Sequence, residues 1–328
     1  MTTTFTASAF SLALAGLALS GLALAAPAHA ETLEIRDFVG RVEVRTGNYD
    51  RIEARVTGGE SLGEEIGDAR IDRQGGDVVI DGGNERRWGW VDCRGSGANL
   101  QVRINGRGDR SLFGGFRDRG EFVPVADLPL IEVTAPDDVE LQIENVMLMG
   151  EIGDVGGGRV ANGFCADLRI GDVSGDFDAS HGGSGRMTIG EVGGDLDARL
   201  AGSGEMIVGD VRGHLGARVE GSGEMAASRA GRGVDIHVLG SGSTDIETVS
   251  GDIGISIAGS GDVMLAGGSA GAMDISIMGS GDVSFGGTAE RLDVSVAGSG
   301  DVDVANAGDS DVRIAGSGDV RVAGRRID

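Results

Sequence analysis

Gly-Ser-Gly recurs eight times at a nearly fixed step in the second half of the chain, with its first glycine at 183, 202, 221, 240, 259, 279, 298 and 316. The steps are 19, 19, 19, 19, 20, 19 and 18 residues. A second marker interleaves with it: Ile-Gly-Asp-Val at 152 and 170, Ile-Gly-Glu-Val at 189 and Val-Gly-Asp-Val at 208. A unit this short cannot bury an apolar face of its own. It must stack on its neighbours, as the coils of a solenoid do.

Inside each unit the apolar residues alternate. Leu292, Val294, Val296, Gly298, Gly300, Val302 and Val304 share one parity, and Asp, Ser and Arg occupy the other. Period two places one set inward and one outward on extended strands, and no repeat carries helical spacing. The four prolines, at 27, 124, 129 and 136, all lie outside the Gly-Ser-Gly coils, where strands bonded on both sides would exclude them. The expected fold is all-β: a parallel β-helix (β-solenoid) with coils of about 19 residues and an irregular N-terminal β cap. Both glycines of each Gly-Ser-Gly fall on the inward parity, where a sharp corner leaves no room for a Cβ.

The expected organisation has three parts. Residues 1–30 are a leader, 31–122 form an N-terminal β region or cap with an aromatic and arginine-rich segment at 84–122, and 123–328 form the coils. Residues 31–122 can also belong to one continuous domain with the coils. The leader, MTTTFTASAFSLALAGLALSGLALAAPAHA, has an apolar stretch and a small-residue end suited to cleavage after Ala30. It departs from the usual signal peptide in lacking Lys and Arg, and a retained anchor helix is the alternative. The mature chain is expected to be exported, to the periplasm, cell surface or medium, without membrane insertion after cleavage.

Glycine contributes 62 of 328 residues, yet hydrophobic residues reach 40%, so neither collagen nor disorder fits. The formal net charge is −24, all of its 28 cationic residues are Arg, and none is Lys. Residues 31–120 hold 15 Arg against 17 acids, whereas residues 121–328 hold 13 against 35. A surface this acidic repels nucleic acid and anionic membrane, and favours cations or basic groups. Cys93 and Cys165 are the only cysteines. In an oxidising compartment they can bridge, tying the first region to the start of the coils; two buried free thiols are the alternative.

Three stretches resemble a known family: the opening DFVGRVEVRTGNYDRIEARVTGG, the middle LIEVTAPDDVELQIENV and the recurring GSGD coils. They are similar to the head GIN domain family, described for autotransporter adhesins of bacterial envelopes. The likeness covers nearly the whole mature chain. It implies a right-handed β-helix and an exported bacterial protein, and it brings no catalytic residues with it. The C-terminal residues carry no membrane-barrel signature, so an autotransporter in its own right is not expected.

Four constellations remain. The residue after each Gly-Ser-Gly forms a column: Arg186, Glu205, Glu224, Ser243, Asp262, Asp282, Asp301 and Asp319. Stacked carboxylates repel unless bridged, and Ca²⁺ is the fitting ion, with Glu205, Glu224, Asp262, Asp282, Asp301 and Asp319 as its ladder. The alternative is a solvated face with Asp serving as turn chemistry. Nine-residue calcium repeats do not match this period. The serine column, Ser184 to Ser317, lacks a base in phase, because His181, His214 and His237 fall at unrelated points of the repeat.

Arg107-Gly108-Asp109 is an integrin-type tripeptide, but one too short to carry weight. Trp88 and Trp90 with Arg86 and Arg87, followed by Arg94, Phe113, Phe116 and Phe122, could stack on sugars or a protein partner. A cap over the open core is the alternative. Acids that recur with every coil describe a face rather than an active site, so no enzyme is expected. The function expected is a non-enzymatic scaffold or adhesin-like binding module at the bacterial envelope, with a cell-surface glycan or an envelope protein as partner. No cofactor is expected beyond the calcium ladder. The alternatives are a structural envelope protein with no ligand and a carbohydrate-active enzyme.

Overall fold

A computed structural model describes residues 30–59, 69–83, 90–95, 99–105 and 122–327. The period-two pattern resolves into stacked parallel coils of about 19 residues, making a β-solenoid of about 10 turns with no α-helix among the described residues. One large sheet stacks Gly157–Phe164, Phe177–Gly183, Leu196–Gly202, Leu215–Gly221, Val234–Gly240 and Ile253–Gly259, and continues through Met273–Gly279, Leu292–Gly298 and Ser310–Gly316. The second stacks Leu168–Ile170, Arg186–Ile189, Glu205–Val211, Glu224–Ala230, Ser243–Ser250 and Asp262–Leu265, and ends on Val320–Val322. A narrow third side runs through Val155, Val173, Val192, Val211, Ala230 and Val249.

Pairings within the coils keep their register apart from local shifts, as between Ile143 and Val146 and between Phe285 and Thr288, so inward residues form columns. Phe177, Leu196, Leu215, Val234, Ile253, Met273 and Leu292 make one, all buried. Full burial of such side chains contributes about 1.5–3 kcal/mol each, and this is the main force holding coil to coil.

The N-terminal region supplies both coils and closing strands. Thr32–Arg36 and Val39–Gly47 lie parallel to the two halves of Glu140–Ile152, and Asp77–Asp81 and Leu130–Pro136 stack beyond them. Antiparallel strands then close the two sheets: Arg70–Gln74 on Asp77–Asp81, and Glu53–Thr57 on Leu130–Pro136. At the other end Arg325–Ile327 folds back antiparallel on Val320–Val322.

The Gly-Ser-Gly corner differs from expectation in one respect. Only the second glycine is buried; the first stays half-exposed or exposed and is required by its backbone, with φ from 114° to 151°. At Gly261 a Cβ would lie 2.3 Å from the Gly242 carbonyl oxygen and 2.5 Å from a Val238 methyl. Gly261→Ala is therefore expected to cost about 1–3 kcal/mol in denaturant unfolding. Gly216, on the outward face, meets its nearest atom at 3.6 Å, so Gly216→Ala should stay within about 0.5 kcal/mol of wild type.

Candidate binding surface

Three members of the acidic column, Asp262, Asp282 and Asp301, serve the corners. The Asp262 carboxylate accepts the backbone N–H of Asp282 at 3.1 Å, Asp282 that of Asp301 at 2.8 Å, and Asp301 that of Asp319 at 2.8 Å. The other corners repeat the device. Asp154 serves Asp172 and Asp172 serves Glu191; Asp176 serves Asp195 and Asp195 serves His214, all at 2.8–2.9 Å. Charge-assisted bonds of this kind satisfy backbone donors that the turning chain cannot pair in a sheet.

Arg186 neutralises Glu205 at 2.6 Å, Glu224 is exposed, and Asp319 is paired with Arg321 and Arg326 at 2.7 Å each. Among the described residues no three His, Cys, Asp or Glu side chains converge to hold a metal ion.

The described parts of the 84–122 segment belong to a flap. Trp90–Arg94, Gln101–Asn105 and Val123–Pro124 form a small antiparallel sheet. Its Leu100 and Val102, with Leu128, share a second apolar cluster with Val39, Met147, Met149 and Ala166 of the solenoid. A disulfide joins Cys93 of the flap to Cys165, with their Cα atoms 6.3 Å apart. The guanidinium groups of Arg94 and Arg103 lie over the Phe122 ring, at 4.4 and 4.5 Å from its centre, and Arg103 pairs with Asp92. Arg86, Arg87, Trp88, Phe113, Phe116, the Arg107-Gly108-Asp109 tripeptide and residues 1–29 lie outside the described residues, as does the side chain of Trp90.

The outward face of the first sheet holds a site the sequence reading missed. A trough of about 1020 Å³ crosses six coils, from Gln142 to His237. Register explains it. The outward column Arg159, Asp178, Asp197, Gly216, Asp235 loses its side chain at Gly216, and the neighbouring column runs Ser180, Arg199, Arg218, His237. His214 and Arg218 flank the gap along the strand, and Asp197 and Asp235 flank it across the coils. The two histidines that seemed out of phase thus meet at one surface, where His214 Nε2 lies 3.3 Å from Asp235.

Each guanidinium in the trough already has a carboxylate: Arg159 with Asp178, Arg199 with Asp197, and Arg218 with Glu220. The bond to Asp178 raises the Arg159 pKa further above its ordinary value. Aligning outward rather than inward positions at the 19-residue step would have revealed the gap.

Residues 215–325 match the model of a family described as "Putative auto-transporter adhesin, head GIN domain". The matched stretch is the C-terminal run of coils, including the last six Gly-Ser-Gly corners and the upper end of the trough. A crystal structure described as a "Putative lipid binding protein" from Parabacteroides distasonis is 17% identical. That likeness covers 89% of this chain and 93% of that chain with a TM-score of 0.37, which carries no argument about fold or ligand. No curated protein matches the chain.

His181 has a different place from the other histidines. It stands in an inward column between Asn162 and Leu200, fully buried. The Asn162 amide is satisfied by the Leu148 backbone, accepting at 2.9 Å and donating at 2.9 Å, whereas among the described residues neither His181 nitrogen has a partner in good hydrogen-bond geometry. Burial holds its pKa below the usual value, against smaller opposing effects of the Gly185 backbone and the Asp167 charge. Below pH about 6.5 the unfolded chain then binds the proton that the folded chain resists, so stability falls with pH there. His181→Leu, matching Leu200, should add about 1–3 kcal/mol and flatten that part of the pH–stability curve.

The corner aspartates allow a separate check. Asp282→Asn keeps an acceptor and should unfold within about 0.5 kcal/mol of wild type, while Asp282→Ala loses about 0.5–1.5 kcal/mol. If calcium instead bridged the column, both variants would lose stability, and chelator would lower the wild-type melting temperature.

Proposed function

We propose that this chain is an exported, non-enzymatic binding module of the bacterial envelope, and that the trough on the first sheet is its binding surface. The observation that carries the reading is the trough over the outward column, where Gly216 leaves the space between Asp197 and Asp235 unfilled. It is a built recess in a rigid wall, ringed by hydrogen-bonding and charged side chains that suit an extended polar ligand. A cell-surface glycan is that ligand. Export is supported by the leader at residues 1–30, by the disulfide and by the adhesin description of the family matched at 215–325.

The recess can be filled without disturbing the fold, since Gly216 meets nothing closer than 3.6 Å. On a glycan array, wild type is expected to retain a defined set of polar glycans. Gly216→Gln should lose them with an unchanged melting temperature, and Trp88→Ala/Trp90→Ala should keep them. Binding that survives Gly216→Gln but disappears with the tryptophans would move the site to the flap.

A further inference from the structure

The C-terminal end of the solenoid carries an interaction surface separate from the trough. Three of the four ends of the two large sheets finish on an antiparallel strand: Arg70–Gln74 and Glu53–Thr57 at the N-terminal end, and Arg325–Ile327 on the second sheet. The fourth does not. Ser310–Gly316, the last strand of the first sheet, lies on Leu292–Gly298 and has no strand on its other side among the described residues. Ser317 donates its N–H to the Gly298 carbonyl, so by strand alternation Ser310, Val312, Ile314 and Gly316 direct their N–H and C=O groups away from the stack. Val312 and Ile314 belong to inward columns yet stay partly exposed, whereas Val294 and Val296, one coil below, are buried. Such an edge is a template for one more strand.

Charge says which strand that is. Between 309 and 327 the chain loses its acidic excess: Arg313, Arg321, Arg325 and Arg326 stand against Asp309, Asp311 and Asp319, on a chain of net charge −24. A second copy can approach this end where it is repelled elsewhere. Laid antiparallel on itself, the edge has one central register that suits its charges. Centred on Val312, each Arg313 lies opposite the Asp311 of the other copy, and Ser310 lies opposite Ile314, so inward residues stay inward. Centring on Asp311 would set two aspartates face to face, and centring on Arg313 two arginines.

Within its own chain Arg313 already bridges Asp293 and Asp311, at 3.1 and 2.6 Å, and both pairs are exposed. Exposed pairs hold little energy, and a guanidinium with five donors can take the second copy's carboxylate as well. We propose that two copies of this chain join end to end through residues 309–316, in a two-fold antiparallel pairing about Val312. The joined sheet turns both troughs to the same side, roughly 50 Å apart at about 4.8 Å per coil.

Sedimentation velocity of the purified chain tests this. Wild type should sediment as a dimer at about 100 μM and dissociate on dilution. Val312→Pro removes an N–H that is unpaired in the single copy and bonded across the axis in the pair. Two such bonds are lost per dimer, so association should weaken about tenfold or more. Arg313→Asp and Asp311→Arg should each be monomeric alone, with acids facing acids or arginines facing arginines, and should associate when mixed. Melting curves confirm that all three variants fold. A wild type that stays monomeric at that concentration would overturn the proposal, as would a dimer that survives all three variants. Charge variants that are monomeric alone and remain so when mixed would overturn the Val312 register. Species that grow past the dimer with concentration would overturn the two-fold pairing, in favour of this edge meeting the N-terminal end of the next copy.

Discussion

Everything in this molecule depends on how a backbone turns a corner while stacked directly on an identical corner. Three times per coil the chain changes direction, and at each bend N–H groups leave the regular ladder with another coil only about 4.8 Å away. Two devices meet that constraint. Glycine stands where a Cβ would strike the carbonyl of the coil below, as at Gly261 over Gly242. Aspartate stands where a carboxylate can reach up to the next coil's N–H, as Asp282 does for Asp301. The Gly-Ser-Gly-Asp signature is the imprint of both at one corner.

Because the corners hold the coils in register, residues at the same phase form columns, and this is why so much of the fold was legible. Inward columns are constrained by packing, so Leu196, Leu215, Val234 and Ile253 repeat visibly. The N-terminal end was harder to read. Val39–Gly47 and Met147–Ile152 are neighbours in space, but the intervening chain carries the closing strands and the flap. Val39, Met147 and Met149 are buried although they belong to the flap's cluster rather than the solenoid core. An alternation rule counts such residues as breaks in the pattern.

The surface was less legible for a related reason. Solvent imposes no packing constraint, so outward columns drift from coil to coil, from Ser180 to Arg199, Arg218 and His237 in one case. Periodicity identifies the corner acids at once, because they recur, and it thereby directs attention to the part of the surface most committed to backbone support. A recess appears as the opposite signal, a missing side chain, as at Gly216 and again at Gly254. Gly216 is conspicuous only beside Asp197 and Asp235, and those lie 19 residues away on either side.

The same rigidity bears on what such a surface can recognise. Strands paired on both sides leave the trough floor little freedom to close around a ligand, so complementarity has to be built in advance. The arginines are held in advance: Arg159, Arg199 and Arg218 are each tied to a carboxylate, which orders their side chains and removes their charge from contention. What is left exposed is a spacing, acids repeating along the coil axis around the glycines at 216 and 254. A flexible loop can adjust to many shapes, whereas a fixed spacing favours ligands whose charged groups are spaced to match. A polymer with a regular repeat meets that demand along its whole length, which is the physical reason a solenoid wall suits a polysaccharide better than a small molecule.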